Sequence, residues 1–247
     1  MDAAKFLIVN GDDFGLSRGI NAGIIEAHEH GILTSASLMV RGPAAAGAAA
    51  YARGNAALSL GLHVDLGEWV CPGGNWELLY EVVPRQDKAA VRKEVRRQIQ
   101  AFRKLAGMEP THLDSHQHFH RTEPVRSILM EAAERLGVPL REVTPEISYC
   151  GRFYGQTAEG RSIPDFLTVR HLLGLLEELP AGVTELCCHP GIGADFASPY
   201  LAEREEEVRV LCSPKVREAL PGLEISLCSF RAVQQAIRSG ILTPAAE

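Results

Sequence analysis

The amino-acid sequence lacks the usual features of secreted, membrane and nucleic-acid-binding proteins. Near its start only four consecutive apolar residues precede polar ones, too few for a signal-peptide core, and no later apolar run is long enough to span a membrane. Its basic residues do not collect into a patch, the formal net charge is −6, and the pI is about 5.9. We therefore expect a cytoplasmic protein that binds neither nucleic acids nor anionic membranes.

The sequence also lacks paired cysteine spacings, internal repeats and low-complexity tracts. Its six cysteines show no metal-site or disulfide spacing, and Cys187 and Cys188 lie within an apolar strand candidate. We expect free, buried thiols in a reducing compartment. The chain has 247 residues, 46% of them hydrophobic, and shows no break in composition, so a single domain over residues 1–247 is expected.

Short β-branched runs alternate with longer amphipathic runs, which predicts a parallel α/β architecture. The seven predicted strands are KFLIVN, ILTSASLMV, LSLGLHVDL, THLDSH, VPLREV, VTELCCH and LEISLCS. Because a complete barrel has eight strands, we predict a distorted or incomplete (β/α) barrel, with a doubly wound open sheet as the alternative. Residues 67–86 and 145–163 are expected to form loops.

Aspartate and histidine residues recur where the predicted strands end. They are Asp12 and Asp13 after the first strand, His63 and Asp65 after the third, Asp114, His116, His118 and His120 after the fourth, and His189 after the sixth. The carboxyl ends of parallel strands meet at one end of an α/β fold. Four distant segments are therefore expected to deliver metal-ligand side chains to one site.

Each of these residues also has an ordinary structural explanation. Asp12 or Asp13 could cap the following helix, and His63 alone could be a hydrogen-bonded core residue. Four histidines and an aspartate within nine residues are harder to explain by packing, so a metal site is favoured. His112, at the start of its strand, is expected to lie too deep to reach the site.

The residue types indicate a hydrolytic metal site. Successive strand side chains point to opposite faces, so we expect one of Asp12 and Asp13 to bind a metal and the other to contact its water. Two imidazoles and a carboxylate fit Zn²⁺ or another first-row divalent ion, which lowers the pKa of bound water from about 15.7 toward 7. Spacing alone does not say which of the later histidines is a ligand.

Taken together, these motifs resemble the YdjC-like carbohydrate deacetylases, a family that includes chitooligosaccharide deacetylases and hopanoid-biosynthesis members. The resemblance is carried, in this order, by LIVNGDDFGLSRGINAGIIEAHEHGILTSASLMV, GLHVDL, PTHLDSHQHFH and CCHPG. It implies a distorted (β/α) barrel with a divalent metal cofactor, Zn²⁺ or Mg²⁺. It also implies hydrolysis of an N-acetylated sugar or oligosaccharide, with release of acetate.

The resemblance further implies roles for individual residues. Carried over by position, Asp13, His63 and His116 would bind the metal. Asp12 would be the general base, and His189 would protonate the leaving amine.

The sequence departs from the family pattern at two positions. Gly11 replaces the usual alanine and should be tolerated, since the position needs a small residue. Asp65 stands where the family often has Asn or Thr, and it would add negative charge near the metal.

Aromatic and histidine residues beside these motifs are candidates for binding the sugar. The predicted substrate contacts are Trp69, His118, Phe119 and His120. Trp76 and Tyr154 are more simply explained as anchors of long loops. The run Glu205, Glu206 and Glu207 is more simply the solvated face of a helix.

Other functions fit part of the pattern. A phosphoesterase would use similar ligands but should also carry cationic side chains at the strand ends, where the sequence indicates no Lys or Arg cluster. Another amidohydrolase would share the metal site. A non-catalytic sugar-binding protein would keep the aromatic residues without needing Asp12 and Asp13 beside histidines. The expected partner is a small sugar, and homo-oligomer formation is left open.

Overall fold

In a computed structural model, which describes residues 4–71, 74–196 and 198–240, the chain is built around a sheet of seven parallel strands. These strands are β1 (Lys5–Phe14), β2 (Ser35–Leu38), β3 (Ser59–Val64), β6 (Leu113–Ser115), β7 (Ile147–Cys150), β8 (Gly182–Cys188) and β9 (Ile225–Cys228). Two further strands, β4 (Gly67–Val70) and β5 (Glu77–Glu81), form a separate antiparallel hairpin. The main sheet has the order β6-β3-β2-β1-β8-β7, and β9 also pairs with β1.

Helices follow most of the strands. The α-helices of the described residues are α1 (Arg18–Glu29), α2 (Ala45–Gly54), α3 (Lys88–Ala106), α4 (Val125–Leu136), α5 (Val169–Glu177), α6 (Leu201–Leu211), α7 (Pro214–Ala219) and α8 (Phe230–Arg238). Local sequence explains several of their ends. Ser17 and Asp87 accept hydrogen bonds from backbone amides in the first turns of α1 and α3, and α3 ends at Gly107, whose φ is 69°.

Side chains from strands that are not neighbours meet inside the sheet, so the sheet curves round on itself. The hydroxyl of Ser37 on β2 donates to Asp114 on β6 at 2.6 Å, although β3 lies between these strands. No ladder joins β6 to β7 in the described part of the chain, where an isolated bridge pairs Leu113 with Leu140. The predicted incomplete barrel with seven parallel strands is therefore confirmed.

The structure corrects the position of the fifth predicted strand. Residues 138–143 contribute only an isolated bridge at Leu140, followed by a turn at 141–143, while the strand lies at Ile147–Cys150, within a predicted loop. The backbone of Glu142 has a φ of 58°, which interrupts an extended run. The predicted loop at 67–86 is also wrong in part, because it contains the β4–β5 hairpin.

The inside of the barrel below the site is tightly packed. The ring of His112 is fully buried, stacks on Phe230 of α8 with 3.7 Å between ring centroids, and is hydrogen-bonded to Ser37 at 3.0 Å. His112 is therefore too deep to reach the carboxyl ends of the strands, as expected. Gly61 lies directly against this ring, and a Cβ atom at Gly61 would overlap it.

The state of the cysteines and the polarity of the helices were also predicted from the sequence. All six cysteines are free thiols, and Cys150, Cys187 and Cys188 are buried. No helix within the described ranges is both long enough and apolar enough to cross a lipid bilayer.

The packing at Gly61 predicts a stability effect. Gly61→Ala should destabilise the protein by about 1–3 kcal/mol, because the stacked and hydrogen-bonded ring of His112 has no room to move away. Gly174→Ala is the matched control, since Gly174 lies within α5 and a Cβ there has no neighbour within 4 Å. It should stabilise the protein by about 0.5–1 kcal/mol. Urea unfolding measures both effects, and equal effects would contradict the packing argument.

Candidate metal centre

The end of β1 brings Asp12 and Asp13 to one cleft. The register of β1 against β2 shifts between Gly11 and Phe14, and Asp13 has a φ of 65°. This left-handed residue breaks the alternation of side chains along the strand. Both carboxylates therefore line the same cleft, whose volume is about 690 Å³, although their side chains are nearly fully buried.

The three predicted metal ligands lie together. Asp13 Oδ1 is 3.4 Å from His63 Nε2 and 3.2 Å from His116 Nδ1. One ligand atom from each residue lies within 4.8 Å of the other two. Tetrahedral bonds of about 2.0–2.1 Å separate ligand atoms by about 3.3–3.4 Å, so this donor set fits a small divalent cation with little movement.

A buried carboxylate orients one of these ligands. Asp114 Oδ1 is 2.8 Å from His63 Nδ1, which leaves His63 Nε2 facing Asp13. The other oxygen of Asp114 accepts from Ser37 at 2.6 Å and lies 2.9 Å from Arg141. Carboxylates commonly hold metal-ligating histidines in this way, because they fix the tautomer and the ring direction.

Arg141 is a site residue that the sequence analysis missed. Its fully buried guanidinium donates to both oxygens of Asp12 at 2.7 Å and contacts Glu185 at 2.6 Å and Asp114 at 2.9 Å. Burial alone would raise the pKa of the Asp12 carboxyl, but Arg141 outweighs it and holds this pKa well below its usual range. Asp12 is thus a fixed, ionised carboxylate.

His189 lies beside Asp12, as the sequence predicted. Its Nε2 is 3.9 Å from Asp12 Oδ2, and the ring lines the cleft. Burial lowers the pKa of His189 to about 4, against the opposing influence of the Asp12 and Asp13 carboxylates. The imidazole is therefore neutral at pH 7 and able to accept a proton.

Helix α6 contributes two buried charged residues that the sequence analysis did not identify. Arg204 donates to Asp13 Oδ2 at 2.6 Å and to the carbonyl oxygen of His189 at 3.1 Å. Glu207 is fully buried, accepting from the Tyr200 hydroxyl at 2.6 Å and from the backbone amide of His189. The prediction that Glu207 belongs to a solvated helix face is therefore wrong.

The balance of buried charge also fits a cation. Five buried acidic residues surround the site, whereas Arg141 and Arg204 are the two buried arginines beside them. The acidic residues are Asp12, Asp13, Asp114, Glu185 and Glu207. Burial raises the pKa of Glu185 to about 7 and that of Glu207 to about 8, which removes part of the excess negative charge. Although burial opposes it, Asp114 and Asp12 raise the pKa of His63 well above its usual range, so the ligand set stabilises positive charge.

The predicted substrate contacts divide into two groups. Trp69 and Phe119 pack edge to face with 5.6 Å between centroids, and both line the cleft with His118. His120 does not, because its ring is fully buried and directed toward Ser115 and Glu142. The structure therefore corrects the expectation that His120 contacts the substrate.

The two aromatic residues expected to anchor loops also differ. Tyr154 stacks on Tyr200 with 4.5 Å between ring centroids, which is consistent with anchoring, and it lines the cleft as well. Trp76 is 61% exposed, so it does not pin its segment to the barrel. It also lines the cleft and is free to contact a ligand there.

The β4–β5 hairpin is held at the edge of the cleft by Gln117. The Gln117 side chain accepts from the backbone amide of Trp69 at 2.9 Å and donates to the Trp69 carbonyl at 2.7 Å. Gln117 has a φ of 49°, so the strand of residues 113–115 gives way to a turn directly after His116. We call this pairing the Gln117 clamp.

Asp65 lies behind the cleft, where several donors engage its carboxylate. Its carboxylate accepts from Arg41 at 3.1 Å, from the Tyr80 hydroxyl at 3.0 Å and from the amide of Gly67 at 3.1 Å. It is buried and is not one of the residues that line the cleft. Burial, Asp13 and Asp65 together raise the pKa of Glu68, which lines the cleft, so the charge of Asp65 reaches the site although Arg41 pairs with it.

The structure also places arginines at the strand ends, where the sequence indicated no cationic cluster. Three of them are engaged by carboxylates: Arg141 by Asp12, Arg204 by Asp13 and Arg121 by Glu142. The fourth, Arg85, lies over the ring of Trp69 at 3.9 Å. The sequence could not reveal this cluster, because none of the four arginines directly follows the carboxyl end of a predicted strand, where the site residues were sought.

Comparison with known proteins places the chain in a family. The profile of the family described as YdjC-like protein matches residues 6–221. The chain belongs to this family. Relatives include a carbohydrate deacetylase of Geobacillus stearothermophilus, 31% identical over 92% of this chain and 97% of the relative. A chitooligosaccharide deacetylase of Serratia marcescens is 31% identical over 92% of this chain and 98% of the relative.

Solved structures share the fold of this YdjC-like protein. A crystal structure from Enterococcus faecalis has a TM-score of 0.72 at 24% identity, covering 94% of this chain and 99% of that one. A family 4 carbohydrate esterase from Streptomyces lividans, in complex with acetate, has a TM-score of 0.55 at 14% identity, with 92% of each chain covered. The predicted family and fold are both confirmed.

Replacing Arg141 tests its role as the shared partner of the carboxylates. Arg141→Met should destabilise the protein by about 3–5 kcal/mol, because it leaves buried carboxylates without a cation. Arg209→Met is the control, since Arg209 is exposed and pairs with an exposed Glu206, and its effect should stay within about 0.5 kcal/mol. Chemical denaturation compares the two, and similar losses would refute the assignment.

The raised pKa of Glu207 predicts a pH dependence. Between about pH 4.5 and 8 the unfolded state ionises Glu207 while the folded state keeps it protonated, so its contribution to stability is lost as pH rises through this window. Relative to Glu207→Gln, the wild type should lose up to about 1.4 kcal/mol per pH unit there. Parallel stability–pH curves for the two proteins would contradict a protonated Glu207.

Proposed function

We propose that this protein is a metal-dependent hydrolase that removes an acetyl group from an N-acetylated sugar or oligosaccharide and releases acetate. The observation that carries the proposal is the convergence of Asp13, His63 and His116 beside Asp12 and His189 in one cleft. The names of the relatives, carbohydrate deacetylase and chitooligosaccharide deacetylase, support the same reaction.

The ligand residues in this proposal are Asp13, His63 and His116, and Zn²⁺ and Mg²⁺ are the candidate ions. Such an ion, when bound, supplies Lewis-acid polarisation of the acetyl carbonyl and a lowered pKa of water. Arg204 holds the second oxygen of Asp13, which leaves Oδ1 directed at the two histidines.

Asp12 and His189 form a proton relay in this scheme. Asp12 takes a proton from the attacking water, and Arg141 keeps the carboxylate in a fixed direction while it does so. The ion pair with Arg141 lowers the pKa of Asp12, so the protonated form of Asp12 is unfavourable. The proton passes on to the neutral ring of His189, whose Nε2 lies 3.9 Å from Asp12. His189 then delivers the proton to the leaving nitrogen, which must become an amine to depart.

The wall of the cleft supplies the features needed for sugar binding. Trp69, Phe119 and Trp76 line the cleft with Arg85, whose guanidinium lies over the first two rings. His118 and Tyr154 also line it. A cleft of about 690 Å³ has room for more than one sugar unit. We include a short oligosaccharide among the substrates for this reason.

The competing functions are less well supported. A phosphoesterase needs several unengaged cations, but three of the four arginines, Arg141, Arg204 and Arg121, are each paired with a carboxylate. The fourth, Arg85, lies over the rings of Trp69 and Phe119. A non-catalytic sugar-binding protein has no use for an arginine-held Asp12 beside His189. A cytoplasmic location remains part of the proposal, since the six free thiols fit a reducing compartment.

Acetate release tests the proposed reaction. Purified protein loaded with Zn²⁺ or Mg²⁺ should release acetate from at least one member of a panel of N-acetylglucosamine, its short oligomers and lipid-linked glycosides, and a chelator should abolish release. Asp12→Asn and His189→Ala should each lower kcat by about 10²–10⁴-fold, because each removes a proton-transfer group.

Matched controls separate chemistry from folding in this assay. Glu206→Gln, on the outer part of α6, should retain wild-type turnover, and all variants should be compared at equal metal occupancy. Near-normal turnover of Asp12→Asn at saturating metal would overturn the roles assigned here. Sugar binding without acetate release across the panel would favour the non-catalytic alternative.

A further inference from the structure

A second group of metal-ligand side chains lies beside the cleft, and its member His118 also lines the cleft. It consists of His118, His120 and Glu142, none of which belongs to the first ligand set. Glu142 Oε2 is 3.2 Å from His120 Nε2 and 3.7 Å from His118 Nδ1. We propose that these three residues form a second binding site for a divalent transition-metal ion such as Zn²⁺.

The spacing of the three donors fits such an ion. All three ligand atoms lie within 4.8 Å of one another. In tetrahedral zinc sites with bonds of about 2.0–2.1 Å, ligand atoms are about 3.3–3.4 Å apart, close to the two distances to Glu142. Two histidines and a glutamate are also a common donor set for zinc, and three protein ligands leave one position open.

Hydroxyl groups hold both imidazoles with the required nitrogen facing the carboxylate. His120 Nδ1 is 2.8 Å from the Ser115 hydroxyl, and His118 Nε2 is 3.4 Å from the Tyr149 hydroxyl. The opposite nitrogens therefore face Glu142. His118 Nδ1 is a buried atom without a hydrogen-bond partner in the described part of the chain. A metal ion bound there would supply the missing partner.

The backbone conformation supports a specific role for the cluster. Among the described residues, five that are not glycine have a positive φ: Asp13, Gln117, His118, Glu142 and Glu224. His118 and Glu142 are ligands of the proposed site, and Asp13 belongs to the first ligand set. Such conformations cost of order 1–3 kcal/mol each and are concentrated at functional sites.

Arg121 would compete with the metal ion for the carboxylate of Glu142. Its guanidinium donates to both oxygens of Glu142 at 2.7 and 2.9 Å, and its side chain is about half exposed. Arg121 neutralises Glu142 without a metal and can swing into solvent when one binds. The second site should therefore bind zinc more weakly than the first, and removing Arg121 should tighten it.

Zinc stoichiometry tests the proposal without measuring activity. The full-length protein would be dialysed against a series of free Zn²⁺ concentrations, and bound zinc would be counted by mass spectrometry. We expect two ions per wild-type chain, one in His120→Ala and one in His63→Ala. In the His63→Ala background, adding His120→Ala should remove the remaining ion, while adding Arg121→Gln should lower its Kd at least several-fold.

The controls keep this result independent of the first site. His30→Ala removes an exposed histidine far from both ligand sets in sequence and should leave two ions bound. Glu142→Gln, which keeps the side-chain shape, should also lose one ion if His120→Ala fails to fold. The second site would be refuted if His63→Ala bound no zinc. It would also be refuted if the ion bound by His63→Ala remained after both His120→Ala and Glu142→Gln were added. Neither outcome depends on the reaction that the protein catalyses.

Discussion

The ion pairs between Arg141 and three buried carboxylates are the interaction on which the site depends. Asp12, Asp114 and Glu185 come from β1, β6 and β8, and Arg141 reaches all three from a turn between α4 and β7. Unpaired buried charges are strongly unfavourable, so each carboxylate is tolerated only because the guanidinium is there. One cation thus fixes the direction of Asp12 and, through Asp114, the direction of His63.

Arg204 repeats this arrangement on the other side of the cleft. It holds Asp13 and the carbonyl of His189, and its neighbour on α6, Glu207, holds the amide of His189. The helix therefore buries charge where a typical helix would bury apolar side chains. Both arginines make the strand ends rigid, so the ligand atoms are positioned before any ion arrives.

Much of the fold and part of the site could be predicted from the sequence. Alternating strand and helix patterns indicated six of the seven parallel strands and misplaced β7. Asp12, Asp13, His63, His116 and His189 lie together because strand ends converge in such folds. Arg141 and Arg204 could not be found in this way. Their partners lie 129 and 191 residues away in sequence, and a helix with buried charges lacks apolar periodicity. The left-handed backbone conformation of His118 and Glu142 could not be predicted from residue types either.

The β4–β5 hairpin pairs with itself rather than with the main sheet, and the Gln117 clamp grips only backbone atoms of Trp69. Any residue other than proline at position 69 could keep that grip, because the clamp needs a backbone amide and carbonyl. The side chain at position 69 can therefore change without loss of the clamp. Evolution or an engineer could thus reshape this part of the cleft from position 69 without rebuilding the barrel strands that carry Asp13 and His63.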